Sequence, residues 1–111
     1  MRLKDLEAEF VKHDGASGHH IVSTLAEADG IMHLCPKCFH DNSGSVGTHS
    51  MLLWFRGHVP DNVTPGPGRW TPQGTGMDDL TFVPGNPPMA TSILCTGHCH
   101  FFIENGSVRM A

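Results

Sequence analysis

The sequence predicts a mostly β domain, a small β-sheet unit with one short N-terminal helix and long Gly/Pro loops. Three observations carry this. About six or seven short runs rich in β-branched and aromatic residues follow one another along the chain. Thirteen Gly and eight Pro separate those runs, so turns and loops fill much of what lies between them. Helical spacing of apolar residues occurs in a single stretch, at the N-terminus.

That stretch is 2–12, where Leu3, Leu6, Phe10 and Val11 alternate with Lys4, Asp5, Glu7, Glu9 and Lys12. The pattern predicts an amphipathic helix over 1–13, stopped at Asp14-Gly15. Its polar side has no basic excess, which favours a core-facing or partner-facing role over membrane anchoring. Residues 19–25 carry Ile21, Val22, Thr24 and Leu25 and read as a strand, and 27–30 as a turn. Residues 31–35 read as the second strand of that hairpin, delivering Cys35 at its end. After a polar loop over 41–47, the run Met51-Leu52-Leu53-Trp54-Phe55 has the composition of a buried strand.

Residues 57–76 form a long Gly/Pro-rich loop by composition, with Arg69 and Trp70 inside it. A Trp in such a loop pins it to the core or faces a partner. Short strands are expected at 80–83, from 91, at 101–103 and at 107–110, the last two joined by the turn Glu104-Asn105-Gly106. No internal repeat is visible.

A chain of 111 residues makes one domain, 1–111, whose core supplies modest net stability, so it has reason to use a staple. Candidate staples are Cys35-Pro36-Lys37-Cys38 and the cluster Cys95-Thr96-Gly97-His98-Cys99-His100. A Cys-x2-Cys turn points two sulfurs at one ion, and the second cluster offers soft donors to complete a tetrahedron, the pattern of a structural Zn²⁺ site. The candidate ligands are Cys35, Cys38, Cys95, Cys99 and His100. Cys99 and His100 compete, because neighbours on a strand point to opposite faces. Disulfides are the lesser alternative: the N-terminus has no signal-peptide core, so a reducing cytoplasm is expected, and close Cys-x2-Cys neighbours rarely bridge. His33, His40, His49, His58 and His98 are candidates for a surrounding shell or a second metal, with solvated or core-satisfied His the plainer reading of each.

A net charge of −4 with seven scattered Lys and Arg provides no basic stripe for phosphates and disfavours nucleic acid. No apolar run approaches the roughly 18 residues of a membrane span. No Gly-x-Ser-x-Gly nucleophile context or phosphate-cradling loop appears, and no catalytic group is assigned.

Several stretches carry a resemblance. Arg2-Leu3-Lys4-Asp5-Leu6-Glu7-Ala8, Leu34-Cys35-Pro36-Lys37-Cys38-Phe39, Val46-Gly47-Thr48-His49-Ser50 and Pro67-Gly68-Arg69-Trp70 are four of them. Gly74-Thr75-Gly76, Asp79-Leu80-Thr81-Phe82 and His100-Phe101-Phe102-Ile103-Glu104-Asn105-Gly106 complete the set. With these the chain resembles a group of uncharacterised phage-encoded small proteins related to a bacterial zinc-binding domain of unknown function, often mislabelled ammonia monooxygenase. The resemblance implies Cys35, Cys38, a later Cys and His100 as zinc ligands. Its pattern sets that later Cys three residues before the His, where this chain has Gly97, so Cys95 or Cys99 must substitute. No activity comes with it, and no copper-type constellation of His with Met supports the monooxygenase label.

The expected function is a zinc-stabilised, non-enzymatic module that contacts another protein, a virion component or a host factor. The contact surface is expected at Arg69-Trp70 and the apolar face of the N-terminal helix. The setting is the host cytoplasm or the virion, and self-association through the helix is possible in principle. The alternatives are a zinc-dependent hydrolase with an open coordination position and a zinc-ribbon-like nucleic-acid binder.

Overall fold

The structure, a computed structural model, describes every residue except Ser17 and Thr96. The mostly β expectation holds: nine strands and one α-helix are described, with two 3₁₀ turns at Leu3–Leu6 and Leu25–Glu27. The strands are β1 (Glu9–His13), β2 (His19–Val22), β3 (Gly30–Leu34), β4 (Ser50–Trp54), β5 (Thr71–Gln73), β6 (Thr81–Val83), β7 (Ile93–Cys95), β8 (Cys99–Glu104) and β9 (Ser107–Met110). The helix α1 is Pro36–Asp41. They form an antiparallel sheet ordered β2-β1-β3-β4, a β5-β6 ribbon and an antiparallel β7-β8-β9 sheet.

The N-terminal helix is replaced by a 3₁₀ turn and a central strand. Glu7, at φ +54, ends the turn in the left-handed region, and β1 then pairs with β2 on one side and β3 on the other. Adjacent Phe10 and Val11 are both buried because the sheet is covered on both faces. Phe10 joins the main core, while Val11 joins a smaller core with Trp54, Val59 and Val63. Apolar residues at 3, 6, 10 and 11 fit a helix stripe equally well, so the pattern alone did not discriminate. With Leu3, Leu6, Phe10 and Val11 all buried, this segment has no apolar face to offer a partner. The expected β2–β3 hairpin is likewise replaced, because β1 lies between those strands.

The Gly/Pro loop is ordered by its arginine. Arg69 is buried, and its guanidinium donates to the carbonyls of Pro60 (3.1 Å), Val63 (2.9 Å), Pro65 (3.0 Å) and Gly68 (2.9 Å). One planar fork thus holds the loop closed over Trp54, whose Nε1 donates to Thr64 O at 3.1 Å. Residues 71–73 of the predicted loop leave it as β5. Trp70 stacks on Phe82 with centroids 5.9 Å apart and donates from Nε1 to Ser92 O at 3.1 Å, so the loop, the ribbon and the segment before β7 meet at one ring.

The first and third sheets are joined through the main core, which contains Ile31, Leu34 and Leu53 from one and Ile93, Phe101 and Ile103 from the other. The β8–β9 turn is pinned from two sides. Leu3 N donates to Gly106 O at 2.9 Å, and Gly106 N donates to Leu80 O at 2.8 Å.

Candidate metal centre

The first sheet delivers the Cys-x2-Cys turn. β3 ends at Leu34, Cys35 is the N-cap residue of α1, and Pro36 at the first helical position presets the helical φ. One helical turn then brings Cys38 back beside Cys35. Cys35 N donates to His49 O at 2.8 Å, continuing the β3–β4 ladder by one pair, so register places His49 opposite Cys35. The third sheet supplies the other side. Between β7 and β8 the chain turns tightly, with His98 N donating to Cys95 O at 2.8 Å and Gly97 at φ +71, and the turn carries His98.

These elements converge. Ligand atoms of Cys35, Cys38, His49 and His98 lie within 4.8 Å of one another, an arrangement that can hold a metal ion. His98 Nε2 is 3.2 Å from Cys35 Sγ and 3.1 Å from Cys38 Sγ, and His49 Nδ1 is 3.5 Å from Cys38 Sγ. Cys35 is buried, Cys38 and His98 are half-buried, and His49 is exposed. An ion here would cross-link the end of β3, the start of α1 and the entry to β4 with the β7–β8 turn.

The predicted ligands are placed as follows. Cys35 and Cys38 are in the group. Cys99 is buried, with Sγ 3.8 Å from Cys35 Sγ, and lies directly across from Cys95 in the β7–β8 register. His100 is the next residue of β8 and is exposed on the opposite face, 5.8 Å from the Phe102 ring, as strand alternation requires. His49 and His98, which the sequence offered only as surrounding or second-site histidines, stand in the inner group. The signal for His98 was its position between two cysteines in a glycine-containing turn. For His49 the signal was its place in the stretch Val46-Gly47-Thr48-His49-Ser50, and β3–β4 pairing is what sets it opposite Cys35.

The sulfurs act on one another's ionisation. Burial pushes the Cys99 thiol up to about 12, reinforced by the Cys35 sulfur beside it. The Cys38 thiol is also raised, by loss of solvent and then by Cys35. Neighbouring sulfurs resist carrying negative charge together, and a divalent ion among them reverses that by stabilising the thiolates. Lys37 adds little, because its ammonium is taken up by Asp41 one helical turn on, at 2.6 Å.

His33 is a core residue rather than a ligand. Its Nδ1–H donates to Leu34 O at 2.7 Å, its ring meets Phe101 edge-on at 5.7 Å, and Nε2 has no hydrogen-bond partner among the described residues. Burial holds its pKa below the ordinary imidazole value. Arg69, offered as a partner contact, has its guanidinium directed into its own loop, whereas Trp70 lines a groove beside His49. Among the described residues no helix is long and apolar enough to cross a membrane. Comparison with known protein families, with curated proteins and with solved structures finds no match to this chain.

Proposed function

We propose that this chain is a zinc-stapled, non-enzymatic interaction module that receives an extended segment of another protein. Zinc fits the donor set. A tetrahedral ion with Zn–S of about 2.3 Å and Zn–N of about 2.0–2.1 Å sets sulfur–nitrogen separations near roughly 3.6 Å. His49 and Cys38 stand 3.5 Å apart, and His98 is somewhat closer to both sulfurs. Four protein donors close the shell and leave no position for a reacting water. The one acid near the second cluster in sequence, Glu104, is exposed at the far end of β8 and paired with Arg109 at 2.5 Å, and Asp41, one turn from Cys38 on α1, is paired with Lys37 at 2.6 Å. The zinc then supplies rigidity to a small domain whose sheets share little main-chain pairing.

The observation that carries the binding role is a groove of about 610 Å³ between β4 and β7, with Trp70, Leu52, Leu94 and His49 among its lining. Both strands are sheet edges. The bonded pairs of the β3–β4 ladder include Cys35 with His49 and Asp29 with Phe55, so alternation turns the N–H and C=O of Leu52 away from β3. On the other wall, Ala111 N donates to His100 O on the β9 side. Leu94 therefore faces His100 as a non-bonded pair, and its own N–H and C=O point outward. Among the described residues no backbone hydrogen bond is made to these outward groups of Leu52 or Leu94. An extended peptide would satisfy them by strand addition, with alternate side chains against Trp70. The phage resemblance supplies the setting, a virion or host protein as partner.

The test has two parts. Elemental analysis of protein purified without added metal should give one zinc per chain. Peptides selected from a random displayed library on the zinc-loaded protein should shift the amide resonances of Leu52 and Leu94. Absence of metal overturns the staple. Selected peptides that leave both amides unmoved overturn the groove.

A further inference from the structure

We propose that Cys99 and His49 are alternative fourth ligands of this centre, so that the ion passes between a two-sulfur and a three-sulfur shell while Cys35, Cys38 and His98 stay bound. The inference rests on the metal reading above. A fifth donor, Cys99, stands beside Cys35 and outside the four whose ligand atoms all lie within 4.8 Å of one another. Cys99 is 8% exposed and its Sγ is 3.8 Å from Cys35 Sγ. Two thiolates sharing one tetrahedral zinc at about 2.3 Å are separated by roughly 3.8 Å, so Cys99 already stands at ligand spacing from the most buried member of the group.

The β7–β8 turn explains how neighbours reach one ion. Successive residues of a strand point apart, but His98 lies in the turn and Cys99 is the first residue of β8, so the alternation that separates Cys99 from His100 does not separate it from His98. Both approach Cys35, at 3.2 Å and 3.8 Å.

His49 is the donor best able to leave. It is the exposed member of the group and it lines the groove. Cys99 is fixed in the core, whereas the His49 ring is exposed and meets the half-buried His98 ring with centroids 5.3 Å apart. In the exchange the zinc–nitrogen bond to His49 breaks and a zinc–sulfur bond to Cys99 forms. The Cys99 thiol proton leaves to solvent as the sulfur binds, so the three-sulfur shell carries one more negative charge than the two-sulfur shell. A segment lying in the groove and hydrogen-bonding His49 would favour the three-sulfur shell, which connects the docking site to the metal.

The test uses zinc-loaded full-length His49→Ala, with His49→Gln as a second variant of closer size, examined by metal analysis and X-ray absorption. The expected result is one zinc per chain with three sulfurs and one nitrogen in both. In the double variant His49→Ala/Cys99→Ser an oxygen should take the fourth place and zinc affinity should fall roughly tenfold or more. A single variant that keeps two sulfurs and gains an oxygen overturns the inference. So does loss of zinc from the single variants equal to that of the double variant. Wild-type protein without zinc would instead overturn the underlying metal reading.

Discussion

Replacing Gly106 by Ala should cost far more than the same change at Gly57, although the two backbones are nearly alike. Gly106 has φ +74 and Gly57 has φ +79. An alanine in that region carries about 1–2 kcal/mol of strain, and the gain from a stiffer unfolded chain is also shared, so both terms cancel in the comparison. What differs is space. A Cβ on Gly57 meets nothing within 4 Å, whereas one on Gly106 would meet Asp78 C at 2.5 Å and Met77 O at 2.7 Å, with Asp78 O closer still. Those are backbone atoms and cannot rotate aside. The turn must move, with overpacking of about 1–3 kcal/mol. Movement also weakens the Leu3 N–Gly106 O and Gly106 N–Leu80 O bonds, each worth about 0.5–1.5 kcal/mol. Gly106→Ala should therefore be less stable than Gly57→Ala by about 2–5 kcal/mol, a large part of the roughly 5–15 kcal/mol available to such a domain. Urea unfolding at fixed zinc, followed by fluorescence of the buried Trp54, gives the difference from the midpoints. A gap under about 1 kcal/mol would mean that the β8–β9 turn is not seated on 77–80 as described.

Arg69→Lys should destabilise by about 2–4 kcal/mol, because a single ammonium cannot reach carbonyls spread over 60–68; thermal unfolding equal to wild type would count against the guanidinium as the loop's cross-link. Trp70→Ala should lower stability by about 2–4 kcal/mol through lost stacking on Phe82 and a lost bond to Ser92, whereas unchanged melting with lost peptide capture would assign Trp70 to binding alone. His33 predicts acid sensitivity. Its pKa in the folded protein lies below its unfolded value of about 6.5, so its contribution is complete above that pH and declines as the pH falls toward the folded value. In that window the unfolded chain binds one more proton, giving a slope of up to about 1.4 kcal/mol per pH unit. Denaturant unfolding of wild type and His33→Phe at matched metal content between pH 7 and 5 isolates it, since the Cys and His of the candidate centre are common to both. Parallel pH curves would remove His33 as the source.

How far the fold could be read depended on how local its cause was. The β8–β9 hairpin was legible because Glu104-Asn105-Gly106 has the chemistry of its turn, with both Asn105 and Gly106 at positive φ. The N-terminal segment was not, since spacing of Leu3, Leu6, Phe10 and Val11 serves a helix or a two-sided strand, and pairing with β2 and β3 decided it. The short helix α1 escaped because six residues give no periodicity, and Pro36 at its start reads equally well as part of a knuckle.

Sequence by itself determined the chemistry of the candidate centre: two cysteines two residues apart and a second cluster of soft donors in a chain of 111 residues. Which donors meet was decided by tertiary structure alone. His49 stands beside Cys38 because β4 pairs with β3 in one register, and His98 reaches the same point because the β7–β8 turn projects it there. Strand alternation sends His100 to the other face. Register is a property of segments distant in the chain, so no local pattern records it; the β7–β8 turn is local, but that it meets the start of α1 is not.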